Sequence, residues 1–177
     1  MNRKAKKTLG ALFTAIAILA AVPMLFASGT SGWGAAGAKT DSSLSIESML
    51  AYAIQDEYSA RAEYAAIMAK FGERTPFSNI IRSEESHISW IRDEYAARGL
   101  AVPSDESASH LVIPASLKDA FSVGVQAEID NIAMYDSFLA SPLLAGAGNA
   151  RTRDLFTRLR DASKNHLAAF RNGLSKF

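Results

Sequence analysis

The sequence predicts an all-α protein, a bundle of four helices with one long connection in the middle. Two observations carry this prediction. Apolar residues recur at spacings of three and four in four separate stretches, and no stretch has the alternation typical of a strand. The chain has 177 residues, of which 49% are hydrophobic, and this suffices for one domain with a core of its own.

The first two predicted helices are close together along the chain. The apolar stripe of the first begins at Leu50 and reaches Phe71, and the glycine that follows ends the helix. Thr75 and Pro76 are predicted as the N-cap and the first residue of the second helix, which ends at Gly99. Because only a few residues separate the two helices, we expect an antiparallel hairpin.

The third and fourth helices are predicted to form a second hairpin. Ser116 is the expected N-cap of the third helix, which stops before Pro142, and the stripe of the fourth helix ends at Leu174. About 16 residues separate Gly99 from Ser116. At roughly 3.3 Å each they can run along a helix of about 35 Å. A four-helix bundle with one such crossover between helices two and three is the ferritin-like arrangement.

The N-terminal segment is typical of a targeting signal. A basic tip precedes an apolar run from Leu9 to Ala27, so residues 1–27 are predicted to be a signal peptide for export to the periplasm or the extracellular space. An uncleaved membrane anchor formed by residues 9–27 is the alternative. Residues 28–43, rich in small residues, are predicted to be a flexible linker, and residues 44–177 the helical domain.

Composition and charge exclude several function classes. The chain has no cysteine, so disulfides, thiolate metal sites and cysteine nucleophiles are excluded. Its formal charge is +1, and without the four cations of the first seven residues it becomes −3. The body of the protein therefore lacks the basic surface that nucleic-acid binding requires.

Every predicted helix carries polar side chains within its apolar stripe, near the middle of the helix. An unpaired charge in such a position costs several kcal/mol. The only basic residue close to the stripes is Arg61, which cannot neutralise three acids. One or two divalent cations would suit these carboxylate and imidazole groups. The residues are Glu57 in the first helix, Glu84 and His87 in the second, Glu128 in the third, and Ser163 and His166 in the fourth.

These polar residues are also predicted to lie at one depth. Residues that are level with each other in a hairpin are equidistant from its turn. Glu57 and the polar pair of the second helix centre near Phe71, and Glu128 and the polar pair of the fourth centre near Gly146. Both centres lie at or beside a predicted turn, so all four helices are expected to contribute to one interior cluster.

The opposite side of the first helix is predicted to face solvent. Asp56, Ser59, Glu63 and Lys70 lie away from the apolar stripe at the helical period. We therefore expect these four residues to be solvated and to have no part in the cluster.

The same region of the chain resembles ferritin-like proteins of the rubrerythrin family. Residues 57–64, EYSARAEY, are similar to the first-helix pattern E-x-x-A-R-x-x-Y, and residues 77–87, which end in EESH, are similar to the second helix. Glu128 followed by Met134 and Tyr135 is similar to the third helix. Residues 163–170, SKNHLAAF, resemble an uncharacterised bacterial branch of the superfamily, a domain of unknown function.

The resemblance implies a ligand set and a chemistry. Carried over position by position, it implies that Glu57 and His87 bind one metal ion, that Glu128 and His166 bind a second, and that Glu84 bridges the two. It further implies iron or manganese as the metal, with O2, peroxide or ferrous iron as the small-molecule partner.

The chain departs from the family pattern at two positions. Ser163 stands where the family has a second bridging glutamate, and Asn131 where rubrerythrins carry an additional glutamate. The loss of a bridging carboxylate predicts a weaker, more hydrated second site or a single-metal protein. Tyr64 and Tyr135 have two alternatives: they are hydrogen-bond partners of the ligand glutamates, or large core residues with hydrated hydroxyls.

Two function classes follow. The first is an exported non-haem metal protein, with a di-metal oxidoreductase of the peroxidase or ferroxidase type as its enzymatic form. The second, which Ser163 favours, is a metal-free or single-metal bundle that serves as a binding or interaction module. Membrane contact is expected only if the N-terminal segment is uncleaved, and a homodimer is an open alternative.

Overall fold

The computed structural model describes residues 32–177, and within them the chain is helical with no strand, so the predicted all-α class is confirmed. The predicted signal or anchor over residues 1–27 lies outside the described part. No helix from residue 32 onward is long and apolar enough to cross a membrane. The α-helices are α1 (Gly34–Thr40), α2 (Ile46–Phe71), α3 (Phe77–Arg98), α4 (Leu117–Ala140) and α5 (Ala150–Leu174).

The helix ends follow local capping chemistry, with one difference from the prediction. α2 begins at Ile46 because Ser45 accepts a 3.1 Å hydrogen bond from the backbone N–H of Ser48, whose hydroxyl accepts one from Ser45. α3 begins at Phe77 with Pro76 as its N-cap, so the prediction of Thr75 as the cap is wrong by one residue.

The other predicted ends agree with the structure. Ser116 caps α4 by accepting a 3.1 Å hydrogen bond from the backbone N–H of Asp119. Gly99, which ends α3, has φ +66°, a left-handed conformation that glycine adopts without strain.

The four long helices pack in pairs. α2 packs against α3 and α4 packs against α5, while α2 also contacts α4 and α3 contacts α5. Two hydrogen bonds fix the relative direction of α2 and α4: Tyr64 pairs with Glu128, and Glu57 with Tyr135. Because positions that rise along α2 fall along α4, these two helices are antiparallel.

Two apolar clusters divide the interior, and the polar residues lie between them. On α2, Glu57 follows Ile54 of one cluster and precedes Tyr64 of the other. The first cluster includes Leu50, Ile54, Tyr95, Phe138 and Phe156. The second includes Tyr64, Phe77, Phe121 and Phe170. The polar side chains are therefore enclosed above and below by well-packed apolar side chains.

Part of the segment predicted to be a flexible linker is an ordered helix packed on the domain. α1 contacts both α2 and α4. Ala38 joins the first apolar cluster, but most of the specific contacts are polar: the indole N–H of Trp33, the N-cap of α1, donates to Ser59 Oγ at 2.9 Å, and the Ala35 N–H donates to Asp56 Oδ1 at 3.0 Å. Such a helix has no apolar period, so composition alone pointed to a linker.

The expectation that one side of α2 faces solvent is wrong for three of its four residues. Asp56, Ser59 and Glu63 are half-buried, whereas Lys70 is exposed. The reason is additional cover: α1 lies on this side of the helix, and the Ser107–His110 turn of the long connection also contacts α2.

Candidate metal centre

The five predicted ligand residues converge in the interior. Each is at most 8% exposed. They form two triads, and within each triad one ligand atom per residue lies within 4.8 Å of the others. The first triad is Glu57, Glu84 and His87, and the second is Glu84, Glu128 and His166. The predicted common depth of these side chains is therefore present in the structure.

In the first triad one imidazole nitrogen faces two carboxylates. His87 Nδ1 lies 2.8 Å from Glu84 Oε2 and 3.0 Å from Glu57 Oε2. The other ring nitrogen, Nε2, lies 3.1 Å from Ser83 Oγ. The ring is thus held at both nitrogens, with Nδ1 directed at the carboxylate oxygens.

The second triad repeats this plan on the other helix pair. His166 Nδ1 lies 3.2 Å from Glu84 Oε1 and 3.5 Å from Glu128 Oε1. Glu84 therefore presents one oxygen to each histidine. The two imidazole rings are stacked, with their centroids 5.6 Å apart. Glu84 lies between the triads, where a group that bridges two ions has to be.

Two buried tyrosines join the glutamates across α2 and α4. Tyr135 donates to Glu57 Oε1 at 2.8 Å, and Tyr64 donates to Glu128 Oε1 at 3.0 Å. Both tyrosines are fully buried, so their hydroxyls are not hydrated. In each helix the tyrosine follows the glutamate by seven residues. Of the two alternatives left by the sequence, the structure has the hydrogen-bond partners.

The hydroxyl of Ser163 makes its hydrogen bonds outside the triads. It lies 2.9 Å from Asn131 Oδ1 and 3.1 Å from the Leu159 carbonyl oxygen. The side-chain amide of Asn131 donates in turn to Asp56, which also accepts the N–H of Ala35. A chain of polar contacts thus runs from α1 through α2 and α4 to α5, beside the triads.

Two acids of this region were missed by sequence reasoning. Asp56 and Glu63 were assigned to the solvent side of α2, yet both are half-buried next to the triad carboxylates. The signal that could have revealed them is their spacing. They lie seven residues apart, which places them two helical turns from each other on the same side of α2. The segment before α2 is rich in small residues, and such a segment can pack closely against that side.

Burial changes the pKa values of the carboxyl groups in and around the triads. Burial raises the pKa of Asp56 and of Glu63 to about 7, and it also raises the pKa of Glu57 and of Glu128. In Glu84 burial acts in the same direction, but the neighbouring His166 and His87 outweigh it and keep its pKa below the usual value.

The histidines show the complementary effect. Burial alone would lower their pKa values, but the adjoining carboxylates raise the pKa of His87 to about 10 and that of His166 to about 9. Among the ion pairs of residues 32–177, none joins a lysine or arginine to the buried carboxylates around the triads. In the described part of the chain, two imidazolium groups are thus the cations that neutralise five acids.

The donor set fits a divalent metal ion. Carboxylate oxygens and imidazole nitrogens are ligands that suit iron and manganese. Glu84 Oε1 is buried, and its contact with His166 Nδ1 at 3.2 Å is an ion pair that lacks good hydrogen-bond geometry. A buried carboxylate oxygen satisfied in this way is costly, and a cation would reduce that cost.

Comparisons with protein-family models, with curated proteins and with solved structures found no match for this chain. The class of the protein is therefore described by its structure: an all-helical chain whose interior contains a buried Glu/His cluster hydrogen-bonded to two tyrosines.

Proposed function

We propose that this chain is a ferritin-like, non-haem metal protein that binds one or two iron or manganese ions. The observation that carries the proposal is the convergence of three carboxylates and two imidazoles from four helices into two triads that share Glu84. A buried set of this kind is costly without a cation, because two imidazolium groups do not balance the acids around them.

The helix directions support the ferritin-like arrangement. α2 forms a hairpin with α3 and is also antiparallel to α4 through its tyrosine–glutamate pairs. α3 and α4 then run in the same direction, which requires the connection between them to return along the length of the helices. This is the crossover expected of ferritin-like bundles.

In the proposed centre each side chain has a distinct part. Glu57 and His87 would hold one ion, Glu128 and His166 the other, and Glu84 would bridge them. Tyr135 and Tyr64 fix the orientation of their glutamates, each of which keeps a second oxygen for the ion. Two bound iron or manganese ions in their reduced state would supply the electrons for the reduction of O2 or peroxide.

The protein surroundings would control protons and water at this centre. Burial raises the pKa values of the ligand carboxylates Glu57 and Glu128, which favours their protonated forms, and a cation that binds would displace those protons. The apolar clusters on either side exclude bulk water. These properties suit peroxide reduction or ferrous oxidation, and we propose these two reactions for the enzymatic form. The N-terminal signal pattern supports export, with an anchored form as the alternative.

Metal-dependent stabilisation tests the binding proposal. Fe(II), added anaerobically, or Mn(II) should raise the unfolding temperature of the wild-type protein. At a hundredfold excess over Kd the gain is about 2.7 kcal/mol. The Glu57→Ala/His166→Ala double variant should lose this response. Glu85→Ala is the matched control, because Glu85 is an exposed neighbour of Glu84 on α3.

The outcomes separate the function classes. No stabilisation of the wild-type protein by either ion overturns the proposal and leaves the metal-free binding module. An unchanged response in the double variant shows that the ion binds elsewhere. For the redox step, protein loaded with Fe(II) should consume peroxide in stoichiometric amounts, and inert protein would be a metal binder only.

A further inference from the structure

Glu63 is an acid with one buried carboxylate oxygen, and it belongs to neither triad. It lies on α2, six residues after Glu57 and directly before Tyr64. Its side chain is half-buried, and its Oε1 atom is shielded from solvent with no hydrogen-bond partner. A surface glutamate would turn both oxygens to water, so the orientation of Glu63 needs another explanation.

The charged neighbours of Glu63 make its position still less favourable. The two groups that act on it electrostatically are Asp56 and Glu128, both of them acids. Asp56 has its own donors, the Ala35 N–H and the Asn131 amide, whereas Glu63 Oε1 has none. What is lacking beside Glu63 is positive charge.

The four long helices do not contribute equally to the two triads. α3 contributes both Glu84 and His87, but α5 contributes His166 alone, since the hydroxyl of Ser163 is engaged with Asn131. Glu63 lies at the right height to compensate. Its neighbour Tyr64 reaches Glu128 Oε1 at 3.0 Å, so this turn of α2 is level with the second triad.

We infer that Glu63 is an additional carboxylate ligand of the cation that Glu84, Glu128 and His166 would hold, an inference that rests on the proposed function. Glu63 lies outside the group of atoms within 4.8 Å of one another, so its side chain reaches the ion by changing rotamer when the ion binds. α2 thereby supplies the carboxylate that is missing from α5 at Ser163.

The test compares wild-type protein with Glu63→Gln and, as a matched control, Glu47→Gln. Glu47 is an exposed glutamate on the same helix. Mn(II) titration followed by electron paramagnetic resonance gives the number of bound ions and their affinities. We expect Glu63→Gln to lower the affinity for the more weakly bound Mn(II) ion by at least about tenfold. The affinity for the more tightly bound ion should be unchanged. Glu47→Gln should match the wild type.

A second readout separates a ligand from a merely structural residue. In metal-free protein, Glu63→Gln should raise the urea midpoint of unfolding, because glutamine removes an ionisable group from a site without a partner. A structural role would instead lower the midpoint together with the affinity. Wild-type affinity for both ions in Glu63→Gln overturns the inference and leaves the proposed function intact. No binding of Mn(II) by the wild-type protein overturns both.

Discussion

Tyr135 on α4 donates a 2.8 Å hydrogen bond to Glu57 on α2, and the reverse pairing, Tyr64 on α2 to Glu128 on α4, mirrors it at 3.0 Å. Each helix thus carries one glutamate and, seven residues later, the tyrosine that orients the glutamate of the other helix. The two antiparallel helices hold their carboxylates by mutual support. A change in either tyrosine is therefore expected to act on a site formed mainly by other residues.

Tyr135→Phe should weaken both the fold and the metal site. Removal of the hydroxyl leaves a buried Glu57 oxygen without its donor, at a cost of about 1–3 kcal/mol in the free energy of unfolding. Metal affinity should fall by about tenfold or more, because the glutamate loses its fixed orientation. Urea unfolding of metal-free protein and Mn(II) titration measure the two effects.

Tyr52→Phe is the matched control for this prediction. Tyr52 is another tyrosine of α2, and its hydroxyl donates to Asp41 at 3.1 Å, outside the triads. Its loss should leave metal affinity unchanged. Equal affinities in the two variants would contradict a role for Tyr135 in orienting Glu57.

Asn131→Ala should destabilise the protein more than loss of a typical exposed asparagine. Asn131 donates to Asp56 and accepts from Ser163, so its removal leaves Asp56 with the Ala35 N–H and Ser163 with the Leu159 carbonyl as their remaining partners, and breaks the link between α2 and α5. We expect a loss of about 1–3 kcal/mol or more in the free energy of unfolding, measured with urea. Asn172→Ala, at an exposed position of α5, should change it by less than about 0.5 kcal/mol. Similar losses in both would contradict the polar chain described here.

Gly37→Ala should detach α1 from α2. A Cβ atom at Gly37 would lie 2.7 Å from Tyr52 Cε1 and 2.6 Å from the Gly32 carbonyl carbon. Alanine favours a helix over glycine by about 1 kcal/mol, so destabilisation would report the close approach and not helix propensity. In a Trp90→Phe background Trp33 is the sole tryptophan. Its emission should shift to longer wavelength as its bond to Ser59 is lost.

Gly148→Ala provides the control for the α1 prediction. An added Cβ at Gly148 meets nothing within 4 Å. Trp33 emission should be unchanged in this variant. An unshifted spectrum in Gly37→Ala would contradict the packing of α1 against the domain.

Metal-free protein should lose stability as the pH rises from about 6 to about 9. Burial raises the folded-state pKa of Glu63 to about 7, above its usual value of 4.5, so the native state keeps a proton that the unfolded chain has lost. His87 acts in the same direction, since its pKa rises from 6.5 to about 10. Both contributions are complete below the unfolded pKa and disappear as the pH passes the folded one.

Urea midpoints measured with chelator at the two pH values test this sign. A midpoint that is equal or higher at the alkaline end would contradict it. Metal affinity should change in the opposite direction, because a bound cation displaces the same protons and binding therefore tightens as the pH rises.

The periodic parts of the molecule were predictable from sequence because burial imposes the helical period. The stripes from Leu50 and through Phe121 mark the core sides of α2 and α4, and both residues are buried. The same period picked out Glu57 and Glu128 as interruptions of those stripes. The depth comparison then placed the residues of four helices at one level, where the structure has them.

The parts that escaped prediction depend on contacts between distant segments. α1 packs through small residues, backbone groups and single hydrogen bonds, and these do not produce the pattern of large apolar side chains that marks a helix in a sequence. Asp56 and Glu63 are covered by elements remote from them in sequence, so the pattern of α2 alone assigned them to solvent. The direction of the Ser163 hydroxyl likewise depends on Asn131, a residue of another helix.

The most direct test of the account is the number of metal ions bound per chain. Wild-type protein purified without chelator and then equilibrated with Mn(II) or anaerobic Fe(II) is analysed by inductively coupled plasma mass spectrometry, beside Glu57→Ala/His166→Ala. The proposed centre predicts between about one and two equivalents in the wild type and a loss of at least one in the variant. Less than about a tenth of an equivalent of either metal in the wild-type protein would contradict it.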